Sequence, residues 1–335
     1  MRVVTGLCLL LAANCMFAAS KEPKKAPPAK PVAGVRTPGV QIPFASLKSE
    51  LDYDLESPAA WIASTDAIWI PARESLLRVD PKANESKFGE PLAGMNLPCA
   101  GLANAFNSLW APNCGTGAIV RVDARRGKIA ATLAVGAAAA REGIVATADS
   151  VWALTDTKGT ISRIDPAQNI VVAELRVFPD CNTLVFGETA LWLTCPAENK
   201  LVRVDPETNL VVKTIDVSER PAALAIGENS IWVLCEKDGK IDRVDPKTNK
   251  VTRTIELGAP AKAGTIAAGE GSLWVSMPGF PITRVDTGAE KVMQQFRGEG
   301  AGVVRAALGA VWLADAHSGK LRKFDPKRIA ATLAE

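Results

Sequence analysis

A tryptophan returns about every forty residues along this chain, at Trp69, Trp110, Trp152, Trp192, Trp232, Trp274 and Trp312. The steps are 41, 42, 40, 40, 42 and 38 residues. A fixed period of this length marks a repeat architecture, in which each unit buries its apolar face against its neighbours. Every tryptophan sits in a run of β-formers, as in Ser230-Ile231-Trp232-Val233-Leu234 and Ala190-Leu191-Trp192-Leu193-Thr194. About eleven residues later comes a basic residue, an aliphatic and an aspartate: Arg78-Val79-Asp80, Arg121-Val122-Asp123, Arg163-Ile164-Asp165, Arg203-Val204-Asp205, Arg243-Val244-Asp245, Arg284-Val285-Asp286 and, weakened, Lys323-Phe324-Asp325.

One unit reads as four strands. In the fifth, Ala222 to Ile226 is followed by a tight turn through Gly227-Glu228-Asn229-Ser230, then by strands over Ile231 to Cys235, Lys240 to Val244 and Lys250 to Leu257. The turn before the last strand is Asp245-Pro246-Lys247-Thr248-Asn249. Proline presets φ there, aspartate bonds the backbone ahead of it, and asparagine tolerates a left-handed conformation. The repeated aspartates are therefore turn residues and not a carboxylate array. Apolar positions alternate at period two, which excludes helical solenoids of similar period. The expected fold is all-β, a seven-bladed β-propeller of four-stranded antiparallel blades. The tryptophans are expected to pack between neighbouring blades. Trp61 is out of register and reads as a filler of the first strand of blade one. For closure, Arg328-Ile329-Ala330-Ala331-Thr332-Leu333 echoes Lys128-Ile129-Ala130-Ala131-Thr132-Leu133, the fourth strand of blade two, so the C-terminus could finish blade seven. Residues 40–56 also read as a strand, expected to pair near the seam.

Residues 1–20 have the composition of a secretory signal, with Arg2, an apolar stretch from Leu7 to Ala13 and Ala18-Ala19-Ser20 as a small-residue cleavage site. The apolar stretch is too short to span a bilayer, so no transmembrane segment is expected. Residues 21–43 form a Lys/Pro-rich linker expected to stay unpacked, and 44–335 the propeller. With Arg2 and the linker's four net positive charges set aside, the chain's +3 becomes −2 over the propeller, which argues against a nucleic-acid partner. The expected location is periplasmic or secreted, as a monomer. Five cysteines lie beyond the signal. Cys99 and Cys114 flank Trp110 by eleven and four residues, and Cys181 and Cys195 flank Trp192 by eleven and three. A two-residue turn between the first two strands would place each pair face to face, so Cys99–Cys114 and Cys181–Cys195 are expected disulfides in an oxidising compartment. Cys235 has no obvious partner; it reads as a buried thiol, with exchange against Cys195 as the alternative.

The unit from Pro221 to Trp232, followed by Gly239-Lys240-Ile241-Asp242-Arg243-Val244-Asp245-Pro246, resembles the repeat of streptogramin (virginiamycin B) lyase-like propellers and also YVTN-type propellers. The resemblance spans roughly residues 50–335. It implies a channel whose mouth, in the lyases, carries a histidine just before strand one and a glutamate just after strand two. With bound magnesium these abstract a proton and open a ring. By offset from the tryptophan, the histidine positions here hold Pro58, Cys99, Arg141, Cys181, Pro221, Ala263 and Ala301. The glutamate positions hold Ala72, Asn113, Thr155, Cys195, Cys235, Met277 and Asp315. The chain's single histidine, His317, falls in a blade-seven loop.

No His/Cys/Asp cluster has ligand spacing, and no Gly-rich phosphate loop or G-x-S-x-G elbow is present, so neither metal nor cofactor is expected. The leading reading is an exported, non-catalytic binding or interaction module. Its partner would be a protein, peptide or cell-envelope ligand held at the propeller mouth. Candidate ligand-binding residues are Arg141, Asn113, Asp156, Glu236, Lys262, Asp315 and His317, with Arg220 beside them. The alternative is a diverged lyase or hydrolase using Arg141, Asp315 and His317. That reading requires Arg141, Asp156, Asp315 and His317 to surround one concavity.

Overall fold

The computed structural model describes residues 33–57, 59–315 and 317–333. The signal sequence, the linker up to residue 32 and Pro58 lie outside the described residues. The described chain forms seven sheets, each with four antiparallel strands and one with a fifth strand added, arranged as a β-propeller. Blade five is built from Pro221–Gly227, Ser230–Cys235, Lys240–Asp245 and Lys250–Glu256, close to the expected bounds. Its first turn holds Glu228 and Asn229 at φ 52° and 51°. Two consecutive positive φ values give the type I′ geometry whose twist matches a two-residue hairpin.

The first strand of each blade lies toward the centre and the fourth outermost. In blade four every residue of the second strand, Ala190–Cys195, is buried, whereas the fourth, Leu210–Asp216, buries only Ile215. Seven apolar clusters fill the spaces between blades. Trp192, for example, packs with Leu224, Ile231 and Val233 of blade five, and Trp232 with Leu273 and Val275 of blade six. The tryptophans thus sit between neighbours as expected. Six of the seven are fully buried. Burying one indole removes about 200 Å² from water, on the order of 5 kcal/mol.

The recurring arginine and aspartate have separate structural tasks. Arg121, Arg163, Arg203 and Arg243 lie over the tryptophans of their own blades, with guanidinium carbons 4.9, 5.5, 5.2 and 5.4 Å from the ring centroids. They then reach the following blade. Arg121 Nη1 donates to Asn169 Oδ1 at 2.9 Å, Arg163 to Asn209 at 3.0 Å, Arg203 to Asn249 at 2.8 Å, and Arg243 to Glu290 at 2.6 Å. The asparagine that turns the chain by adopting φ near 57° is also the acceptor for its neighbour's arginine. The aspartates accept from the backbone two residues on, as Asp205 does from Glu207 and Asp245 from Lys247. Those N–H bonds hold the Asp205 and Asp245 carboxyls below their ordinary range.

The seam departs from the repeat. Blade seven comprises Gly302–Ala307, Ala310–Asp315 and Lys320–Phe324, and its outer strand comes from the other end of the chain, Leu51–Asp54. Leu51 pairs with Lys323 and Asp54 with Lys320 in antiparallel register. Tyr53 is fully buried there, its ring centroid 6.4 Å from that of Trp312 and 5.4 Å from that of Phe88. The N-terminal segment therefore does pair at the seam. The C-terminal echo does not form a strand: Pro326–Ala331 is a short helix. Asp325 caps it by accepting from Lys327 N at 2.8 Å, and Pro326 opens it. Asp325-Pro326-Lys327-Arg328-Ile329 lacks the left-handed asparagine that reverses the chain in Asp205-Pro206-Glu207-Thr208-Asn209. The outer edge it would have covered is already taken.

Blade six gains a fifth strand, since Gln41–Pro43 runs parallel to Lys291–Arg297 with Gln41 opposite Gln295. Ile42 is 3% exposed and Gly34 and Val40 are buried. The packed body thus begins before residue 44, because the free edge of blade six offers this segment both hydrogen bonds and an apolar seat. Blade one is the least regular, with first and fourth strands of two residues each, Ala63–Ser64 and Leu92–Ala93. The disulfides Cys99–Cys114 and Cys181–Cys195 are both present, with Cα separations of 5.8 and 4.0 Å. Cys235 is a free, buried thiol. Burial, reinforced by Asp242 beside it, pushes its pKa well above the usual thiol range. No helix among the described residues is long and apolar enough to cross a membrane.

Candidate functional site

Neighbouring first strands, or the residues leading into them, bond to one another around the channel. Thr183 Oγ1 donates to Ala222 O at 2.9 Å, Thr265 Oγ1 to Gly302 O at 3.1 Å, and Gly143 N to Ala100 O at 2.7 Å. Where these strands begin, the channel opens into a cavity of 450 Å³, within the range of small-ligand sites. Its wall is mainly apolar: Trp61, Leu224, Ile266, Pro278, Val303 and Val304, with several alanines. The polar groups are Arg141, Glu142, Lys262, Thr183 and Thr265. A second cavity of 240 Å³ lies along the same channel and shares Trp61 and Glu142 with the first.

An ion pair stands between the two cavities. Arg305 Nη2 donates to Glu142 Oε1 at 2.7 Å, and the same guanidinium donates to Ile62 O at 2.7 and 2.9 Å. Three blades, one, three and seven, are thereby joined across the channel. At the mouth, Arg141 of blade three reaches Glu236, which is 7% exposed, and also donates to Gly264 O at 2.7 Å. Glu236 Oε1 further accepts from Ala263 N at 2.8 Å, and Arg220 Nε lies 4.0 Å from its other oxygen. This carboxylate is paired and hydrogen-bonded, the condition under which burying a charge is tolerated. Lys262 is exposed at the rim and has no ion pair among the described residues.

Of the residues singled out from the sequence, Arg141 and Lys262 line the cavity and Glu236 supports Arg141 from behind. The others do not line it. Asn113 is buried at the end of its strand, where its Oδ1 accepts from Thr116 N at 3.3 Å. Asp156 accepts from Lys158 N and Thr160 N, both at 2.9 Å, and from Thr160 Oγ1 at 2.8 Å. Burial raises the pKa of Asp156, but these bonds and Arg176 outweigh it and hold the carboxyl below its usual range. Asp315, 2% exposed, binds Ser318 Oγ at 2.7 Å and His317 N at 2.9 Å within its own turn. The His317 ring is exposed and lies 2.9 Å from the exposed Glu299. Each acid is committed to its own loop. Only Arg141 of the four residues in the enzyme reading reaches the cavity wall.

Three contributors were not singled out from the sequence: Glu142, Arg305 and the channel role of Trp61. Two of them left a readable signal. The position seven before the tryptophan holds Ile62, Ala103, Val145, Val185, Ala225 and Ala267 in six blades and Arg305 in the seventh. The position ten before holds Ala59, Ala100, Asn182, Ala222, Gly264 and Gly302, against Glu142. A lone charge of each sign in otherwise neutral columns marks a pair meeting inside the ring.

The magnesium site that a lyase-like mouth implies does not fit these residues. No group of three His, Cys, Asp or Glu side chains among the described residues converges to hold a metal. Of the seven glutamate positions only one holds a carboxylate, Asp315, whose oxygens are already occupied within its turn, and Cys195 is disulfide-bonded and Cys235 and Met277 buried.

No protein-family model matches the chain, and no curated protein matches it. Among solved structures, selenomethionine-substituted virginiamycin B lyase from Staphylococcus aureus aligns with a TM-score of 0.67 and 16% identity, over 81% of this chain and 97% of that one. A streptogramin B lyase structure aligns with a TM-score of 0.65 and 16% identity, over 81% and 95%. The chain has the fold of a streptogramin lyase-like seven-bladed propeller.

Proposed function

We propose that this chain is an exported, non-catalytic binding module that holds a ligand at one mouth of its channel. The observation that carries the reading is the 450 Å³ cavity, which has an apolar wall, two basic rim residues and, as the one acid in its lining, Glu142 already paired with Arg305. General acid–base chemistry needs a titratable group within hydrogen-bond reach of the reacting atom. The acids near this mouth are tied to arginines or to their own turns. The ligand is a peptide, a segment of a partner protein or a cell-envelope component, and the disulfides accord with an oxidising location.

The test is a thermal-shift screen of the full chain against peptides, envelope fragments and a streptogramin B lactone with magnesium, since a ligand that binds only the folded state raises its stability. A ligand that raises the midpoint of the parent chain but not of Ala301→Trp, which fills the cavity from its rim, supports the reading. Ring opening of the lactone, followed by mass spectrometry, would replace it with the diverged-enzyme alternative.

A further inference from the structure

We propose that the channel cavity is selective for an organic monoanion, a carboxylate carried on an aryl or branched-alkyl body. This deepens the binding reading and rests on it. The first support is the pairing of charges in the wall. Arg141 is answered by Glu236, and Glu142 by Arg305. Lys262 alone remains without a counter-ion among the described residues.

The second support is the order of groups with depth, for which the tryptophans serve as a ruler. Lys262 lies twelve residues before Trp274 and Arg141 eleven before Trp152, both at the rim. Leu224, Ile266 and Val304, each eight before its tryptophan, form the apolar level beneath. Glu142, ten before Trp152, lies just inside the rim, where its carboxylate is held by Arg305, seven before Trp312 at the deepest level. Trp61, eight before Trp69, stands at that apolar level with an indole N–H that has no acceptor among the described residues. A ligand entering from the mouth therefore meets positive charge first and apolar surface below, so its anionic group stays at the rim while its body fills the cavity.

The count of charges sets the ligand's valence. One carboxylate answers one ammonium, and a charge-assisted bond at a partly desolvated rim is stronger than a neutral one. A second negative charge would face Glu142 and Glu236, and the one further cation nearby, Arg220, stands at Glu236 outside the cavity wall. A cation would meet Lys262 and Arg141. The volume equals that of about fifteen waters, ample for a body of one aromatic ring and a short chain.

The experiment is calorimetric titration of the full chain with 4-phenylbutyrate, 4-phenylbutanol and 4-phenylbutylamine, which share a body and differ in charge. The acid is expected to bind about tenfold tighter than the alcohol, a preference that shrinks with added salt, and the amine most weakly. Lys262→Ala should equalise acid and alcohol while leaving alcohol affinity unchanged; the exposed position spares the fold. Ala301→Trp should weaken both. Equal affinities in the parent chain would overturn the monoanion proposal and leave the binding reading intact. Acid binding that survives Ala301→Trp would place the site elsewhere and overturn it too. No binding by any of the three overturns the proposal, while the screen of peptides and envelope fragments judges the broader reading separately. Acetyl-Ala-Ala-Phe with a free or an amidated C-terminus identifies the source. Tighter binding of the free peptide than of 4-phenylbutyrate assigns the carboxylate to a peptide C-terminus, and weaker binding assigns it to a small free acid.

Discussion

Blades two to five and the seam formed by blades six, seven and one are built from the same forty-residue text but held together differently. Along blades two to five, each arginine crosses to the turn of the next blade, and the acceptor is supplied by the repeat itself. At the seam that arrangement weakens, lost at blade six and reduced to one bond at blade seven. Arg284 donates to Gln294 within its own blade, and Lys323 reaches Pro81 O at 2.9 Å with a single ammonium. What replaces it is a segment outside the repeat, Gln41–Pro43 on blade six and Leu51–Asp54 on blade seven. Local, repeated contacts secure one side of the ring and a sequence-distant strand secures the other.

The largest effect that would break this comparison is expected at the seam. Tyr53→Ala removes a fully buried ring between Trp312 and Phe88 and should cost about 3–5 kcal/mol, read as a lower midpoint in urea unfolding. A loss below about 1 kcal/mol would mean that Leu51–Asp54 does not secure the ring. Next, replacing Cys181 and Cys195 together by alanine should cost about 3 kcal/mol, because the bond closes a short loop inside a blade already held by its neighbours. A larger loss than for Tyr53→Ala would show that the regular side, and not the seam, limits stability. The smallest effect sharpens the contrast between arginines. Arg121→Ala deletes bonds to Ser108, Pro166 and Asn169 and should cost about 2 kcal/mol, whereas Arg284→Ala, which deletes no bond to a neighbouring blade, should cost about 1 kcal/mol. Equal losses in thermal unfolding would remove the cross-blade clamp as an explanation of the repeated arginine.

The repeat was legible because each of its marks answers a local demand. Asp245 and Asn249 fit a turn that must reverse the chain, and Trp232 fits a gap that recurs in every blade, so spacing alone placed them. The disulfides were legible for the same reason, since offsets within a hairpin fix which positions face each other. Closure was legible only in part: residues 40–56 read as a strand near the seam, but nothing in Leu51–Asp54 names Lys320–Lys323 as its partner. The C-terminal echo of a blade-two strand pointed the other way, and one missing turn asparagine outweighed it. In the cavity, Arg141 and Lys262 could be found by register, whereas the absence of Asp156 and His317 from its wall shows only once the loops are folded. Glu142 and Arg305 were visible as exceptions to their columns, yet their meeting depends on three blades converging.

Leu51–Asp54 also bears on how the protein reaches its fold. Its partner strand lies some 270 residues further along the chain, whereas hairpins within a blade close loops of only a few residues. Joining such distant segments costs about 3 kcal/mol more loop entropy than a ten-residue hairpin does. Blades two to five can form as their own residues become available, but the closing strand has no seat until blade seven exists. Until then the outer edge of Lys320–Phe324 is open to any other extended chain, a recognised route to misassembly. On this entropy alone, closure of the ring is expected to be the slowest pairing to form, and the interval before it the one most open to pairing with a wrong strand.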